Sequence, residues 1–132
     1  MAVSNTSSET GALILIVEDN EKNMKLARDV LQYHGFRTLE ATTAPRGLDL
    51  AAEHHPDLIL MDIQLPGMDG LTALRALRAD HALAETKILA LTAFAMKDDR
   101  ERFVSAGFDG YLSKPISIRE LPVVVRRHLG QG

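Results

Sequence analysis

Cysteine and tryptophan are absent, and aromatic residues make up only 5% of the 132-residue chain. Without cysteine there is no disulfide framework, no thiolate metal site and no thiol nucleophile. That fits a reducing compartment, and a cytoplasmic location is the expectation. Long apolar runs are missing too. No segment approaches the roughly 18 consecutive apolar residues that a membrane-spanning helix needs. Met1 to Gly11 is rich in serine and threonine and has no apolar centre, so it does not read as a secretory leader. It reads as a flexible tail over residues 1–11. Nor is there an excess of positive charge. Lys plus Arg number 15 against 18 Asp plus Glu, a net charge of −3, which gives no electrostatic pull towards nucleic acid or anionic membrane. What remains is 45% hydrophobic and 25% charged, the mix of a globular protein, in a chain long enough for one domain with a real core.

Five short apolar runs punctuate the chain: Leu13–Val17, Arg37–Ala41, Leu58–Met61, Lys87–Leu91 and Gly110–Leu112. The first, third and fourth are nearly continuous in Ile, Leu, Val and Met, as parallel strands buried on both faces are. Helical patterns lie between them. Asn20 stands as a cap before Met24, Ala27, Val30 and Leu31, with Gly35 just past the end. Thr43 can cap the next helix, whose Pro45 falls in the first turn and costs no hydrogen bond. Leu48, Ala51 and Ala52 are its expected inward residues. A third helix is expected from about Asp69 to Leu77 and a fourth from about Lys97 to Ser105. In the last, Ser117 and Glu120 have capping-box spacing. Pro122 requires that helix to start late or kink. Alternating strands and helices predict an α/β open parallel sheet with helices on both faces, over residues 12–130. No second domain and no output module are expected.

In such sheets ligands sit beyond the carboxyl ends of the strands. The first strand ends in Glu18 and Asp19, the third in Asp62, the fourth in Thr92 and the fifth in Lys114. Three acids, a hydroxyl and a cation converge on one rim. Close carboxylates repel one another, and a divalent cation relieves this. Without a His and Cys cluster to favour zinc, magnesium is the expected ion, with manganese as a substitute. Asp19, Asp62 and the backbone carbonyl of Gln64 are the expected direct ligands, with Glu18 acting through water. An aspartate beside such an ion can be a nucleophile that forms an aspartyl phosphate, and Asp62 is the candidate. Lys114 would balance phosphoryl charge, and the Thr92 hydroxyl would donate a hydrogen bond.

These residues lie in segments whose wording is specific. They are Leu15-Ile16-Val17-Glu18-Asp19-Asn20, Asp57 through Gly70, Leu91-Thr92-Ala93, and Gly110-Tyr111-Leu112-Ser113-Lys114-Pro115. In order and spacing they resemble the receiver (CheY-like) domain of two-component response regulators, from about Leu13 to Leu129. The resemblance implies a flavodoxin-like (βα)5 sheet of strand order 2-1-3-4-5. It implies Glu18 and Asp19 as the acidic pair, Asp62 as phospho-acceptor, Thr92 as switch hydroxyl and Tyr111 as switch aromatic. It also implies Lys114 before a cis Pro115. Asn20, Asn23 through Leu26 and Ala93 through Lys97 are worded most like single-domain cell-cycle members of that family.

Each residue also has a plainer reading. Glu18 and Asp19 suit a helix N-terminus. Asp57 and Asp69 read as turn or capping acids. Thr92 alone is a strand-end hydroxyl, Lys114 alone a surface lysine, and Tyr111 alone a packing aromatic. His34, His54, His55, His81 and His128 have no ligand or phospho-donor context, and His54-His55 marks a helix end. Arg126-Arg127-His128 suits the last turn of a helix.

The expected role is signalling rather than enzymatic turnover. A sensor histidine kinase or histidine phosphotransfer protein would dock near Asn20, Asn23, Met24 and the loop Leu65–Gly67. A downstream kinase-like or regulatory protein, with recruitment to a cell pole, would read the face around Phe94, Met96, Arg102, Phe103, Tyr111 and Ser113. A chemotaxis-type regulator binding a flagellar motor protein is the alternative in the same class. In another class stands a magnesium-dependent aspartyl-phosphate phosphatase. Such enzymes carry a second Asp two residues after the first, where this chain has Gln64, which cannot transfer the proton.

Overall fold

The computed structural model describes residues 11–65, 67–68, 70–93 and 97–130, leaving aside the side chains of 97–99. Its elements alternate as expected: β1 (Leu13–Val17), α1 (Glu21–Tyr33), β2 (Arg37–Ala41), α2 (Ala44–His54), β3 (Leu58–Asp62), α3 (Gly70–Ala79), a 3-10 turn (His81–Leu83), β4 (Lys87–Thr92), α4 (Lys97–Ala106), β5 (Gly110–Ser113) and α5 (Glu120–His128). All strand pairs are parallel, in the order β2-β1-β3-β4-β5, the flavodoxin-like arrangement.

The continuous apolar runs divide by strand alternation into two cores. Leu15, Val17, Ile59, Met61, Ile88 and Ala90 face α2, α3 and Phe103 of α4. Ile14, Ile16, Leu58, Leu60, Leu89, Leu91 and Leu112 face α1 and α5. Glu18 continues the second series on β1 and Asp62 continues it on β3, so both acids belong to the α1 side of the rim.

α1 buries Met24, Ala27, Val30 and Leu31, and Asn20 Oδ1 accepts from the amide of Asn23 at 3.0 Å. Gly35 follows with φ of 89°, a conformation glycine adopts without penalty. α2 is capped by Thr43, as its sequence requires, but its inward face is Ala44, Gly47, Leu50 and Ala51. Ala52 is exposed, a correction to the expected face, while Leu48 is half-buried and packs against the core as expected. The reason is close approach: a Cβ on Gly47 would lie 2.8 Å from Val17 Cγ2, so the helix meets β1 along its small residues. His55 ends α2 in the left-handed conformation. α5 starts late, at Glu120, which puts Pro122 in the first turn where its missing N–H costs nothing. Ser117 Oγ accepts from the Glu120 amide at 3.2 Å, so the capping spacing is used even though the helix proper begins at Glu120.

Two further expectations are corrected. Phe103 is 1% exposed and packs edge-on against Phe108, so it is core and not part of a docking face. Asp57 is neither turn nor helix cap. Its Oδ2 accepts from the Leu13 amide at 2.7 Å while its own amide donates to Leu13 O, tying the entry of β3 to the start of β1. α3 begins at Gly70; Pro66, Asp69, Phe94 and Met96 lie outside the described residues. Among the described residues no helix is long and apolar enough to cross a membrane.

Candidate functional site

Strand register sets the site. Val17 is level with Met61, and Asp62 with Leu91. Thr92 is level with Ser113, and the Lys114 amide donates to Thr92 O at 2.8 Å. The residues just past these pairs therefore stand on one rim. Glu18 is fully buried, Asp62 is 1% exposed, and Thr92 is fully buried at the end of β4. Asp19 is exposed.

Carboxylate oxygens of Glu18, Asp19 and Asp62 lie within 4.8 Å of one another. Facing them is the ammonium of Lys114, 2.7 Å from Asp62 Oδ2 and 3.4 Å from Glu18 Oε1. Lys114 follows the end of β5, and the Lys114–Pro115 peptide is cis. The other oxygen of Asp62, Oδ1, accepts from the Gln64 amide at 2.9 Å. Glu18 is held from the α1 side. Its Oε2 accepts from the Asn20 amide at 3.0 Å, and its Oε1 from Asn23 Nδ2 at 3.4 Å.

The electrostatics follow from this crowding. Burial raises the Glu18 carboxyl above its ordinary value, the Asn20 amide and Lys114 oppose that rise, and hydrogen bonding to and charge on Asp62 add to it. For Lys114, burial alone acts to lower the ammonium. The hydrogen bond and charge of Asp62, with those of Glu18, outweigh it and hold the lysine above its ordinary value. Glu18 and Asp62 thus share the Lys114 ammonium, and Asp19 adds a third carboxylate beside them. The donor set is all oxygen, two of its acids are buried, and it fits a hard divalent cation such as magnesium.

The expected residues Glu18, Asp19, Asp62 and Lys114 are therefore brought together, and Gln64 adjoins them through its amide. Tyr111 stands apart from that cluster. It is half-buried on β5, packs against the core on the α4 side, and lies under the Arg100 guanidinium, 5.6 Å from the ring centroid. Ser113 and Arg102 are exposed. The histidines stay outside: His34 Nδ1 contacts Arg126, and His128 contacts the carbonyls of Val124 and Asp109. The contact that sequence reasoning missed is Asn23 to Glu18. The signal was available in the spacing, because the first turn of a helix opening at residue 21 returns residue 23 towards the strand end.

Comparisons with known proteins agree with this geometry. A family model described as the response regulator receiver domain matches residues 14–126. The polar-differentiation response regulator DivK of Brucella ovis is 48% identical over 119 residues, which span 90% of this chain and 97% of the relative. Among solved structures, the receiver domain of sensor histidine kinase PA1611 from Pseudomonas aeruginosa PAO1 has a magnesium ion coordinated in its active-site cleft. It is 37% identical, with a TM-score of 0.83 over 91% of this chain and 98% of its own. The chemotaxis response regulator CheY4 of Vibrio cholerae is 25% identical, with a TM-score of 0.85 over 89% of this chain and 98% of its own.

Proposed function

Because the chain belongs to the response regulator receiver domain family, we propose that it is a phosphorylation switch whose acceptor is Asp62. The observation that carries the reading is the Lys114 ammonium 2.7 Å from Asp62, beside an acid cluster within 4.8 Å. Asp19, Asp62 and the Gln64 carbonyl are the candidate ligands for magnesium, with Glu18 acting through water. Bound there, the ion supplies positive charge against the carboxylates and the incoming phosphoryl oxygens.

The chain's own groups do the rest. An Asp62 oxygen attacks the phosphorus of a phosphohistidine on a kinase or phosphotransfer protein. The P–N bond breaks, and the donor imidazole leaves with the electron pair and regains its proton. Lys114, already poised between Asp62 and Glu18, turns to the phosphoryl oxygens as their charge arrives. The Gln64 amide holds the carboxylate plane of Asp62. Such a transfer needs placement and charge balance more than covalent help. Thr92, one residue past the β4 partner of Asp62, is the candidate hydroxyl to follow the new charge, and Tyr111 on β5 the candidate aromatic to move with it. A charge added at Asp62 then biases a surface read by a downstream protein.

The 48% identity to a polar-differentiation regulator supports a role in cell-cycle or cell-fate control, with histidine kinases as partners and recruitment to a cell pole from the cytoplasm. The chemotaxis-type alternative rests on a more distant likeness, at 25%. The phosphatase alternative lacks a proton-transfer group at Gln64.

The test is intact mass after incubation with acetyl phosphate, with and without magnesium. One phosphoryl group is expected, only with magnesium, and absent in Asp62→Asn. Labelling that persists in that variant refutes Asp62 as the acceptor.

A further inference from the structure

Glu18 is fully buried, and among the described residues the one cation in contact with it is Lys114. Lys114 must divide its ammonium between Glu18 Oε1 at 3.4 Å and Asp62 Oδ2 at 2.7 Å. The Glu18 oxygen contested by Lys114 is the one that also accepts from Asn23 Nδ2. Asn23 sits in the first turn of α1, half-buried, with its backbone amide already taken by Asn20 Oδ1. Helix capping therefore does not use its carboxamide. That group turns inward to the acid cluster, although solvent is within reach on the same turn.

We propose that Asn23 is a positioning residue for divalent-cation binding, acting through Glu18. The inference rests on the acid cluster being a magnesium site. The Asn20 amide fixes one carboxylate oxygen of Glu18 and Asn23 fixes the other, so the plane of the carboxylate is set from α1 by two neutral donors. Neutral donors satisfy a buried carboxylate without cancelling its charge, and the charge is what a cation requires. They also relieve Lys114 of bonding Glu18 fully, which leaves the ammonium nearer Asp62. Partners behind a metal ligand commonly carry this kind of weight, and their loss weakens metal binding by about 10–100-fold. A 3.4 Å bond to a carboxylate that reaches the ion through water belongs at the lower end.

The experiment is calorimetric titration of magnesium chloride, at fixed ionic strength, into the parent, Asn23→Ala, Asn23→Gln, Glu18→Gln and the Asn23→Ala/Glu18→Gln pair. Asn23→Ala is expected to bind magnesium about tenfold more weakly. Asn23→Gln, which keeps a carboxamide, recovers part of that loss. In the Glu18→Gln background, Asn23→Ala causes no further loss, because its route runs through the missing carboxylate. Parent-like affinity in Asn23→Ala overturns the inference, as does an equal loss in both backgrounds. If the parent takes up no magnesium, the metal reading itself falls, an outcome distinct from either of these.

Discussion

Gly70→Ala joins the packing of the fold to the candidate acceptor in one substitution. Gly70 opens α3, and its amide donates to Ile63 O at 3.3 Å. A Cβ built there would lie 2.6 Å from Ile63 Cα and 2.8 Å from Ile63 Cγ2. The nearer atom is backbone, so no change of rotamer relieves the contact. Overpacking of this kind costs about 1–3 kcal/mol. Alanine returns up to about 1 kcal/mol through helix propensity and a less flexible unfolded chain. A backbone contact this close puts the cost in the upper part of that range, so the net expectation is a loss of about 1–2 kcal/mol, or about 4–7 °C in melting temperature for a chain of this length. Circular dichroism melts are the assay, since the chain has no tryptophan. Ile63 lies between Asp62 and Gln64, so its displacement also disturbs the Gln64 amide bond to Asp62, and acetyl phosphate labelling should slow. Gly67→Ala is the control. Gly67 has φ of 86° and no atom within 4 Å of its added Cβ, so only a conformational cost of about 1 kcal/mol is expected. A Gly70→Ala protein as stable as the parent refutes the collision, because alanine without a collision would be neutral or stabilising.

Other outcomes are open to direct measurement. In chelator, the raised Glu18 carboxyl contributes stability that is present below its unfolded pKa and lost as pH rises through its folded value. The parent should therefore gain stability relative to Glu18→Gln as pH falls from neutral into weak acid; parallel melting curves for the two would exclude this. Arg78 donates to Thr86 O, Gly107 O and Asp109 Oδ2 while about a quarter exposed. Arg78→Ala should lower stability by about 2 kcal/mol after allowance for solvent, read from urea midpoints, and lysine should restore only part. Asp57→Ala removes the acceptor of the Leu13 amide and should cost about 1 kcal/mol, with faster hydrogen exchange at Leu13. Saturating magnesium at about 100 times its dissociation constant should add about 2.7 kcal/mol to the parent, and little to Asp19→Asn at the same concentration.

Much of this molecule was legible from residue order alone, and the places that were not share a cause. The strands declared themselves because continuous runs such as Leu58–Met61 have few other uses, and α1 did so because its cap and its buried stripe agree. The gathering of Glu18, Asp19, Asp62 and Lys114 followed from parallel strands ending on one rim. What escaped depended on contacts between distant segments. The inward face of α2 is set by Gly47 against Val17, and alanines on both sides of a helix give hydrophobicity nothing to choose between. Asp57 looked like a turn residue because its partner, Leu13, is 44 positions away. Phe103 looked like a surface aromatic because α4 is polar over most of its length, which is also why its one phenylalanine has to go inward.

Asp62 ends β3 and Lys114 follows β5, strands that are not neighbours, since β4 runs between them. Their bond is a mooring line thrown over an intervening strand. β5 is the outermost strand on that side and, at four residues, shorter than β4, so the Lys114 bond adds an electrostatic tie to its ladder with β4. A change of charge at the centre of the rim would therefore reach the margin of the sheet directly, as well as through the strand between.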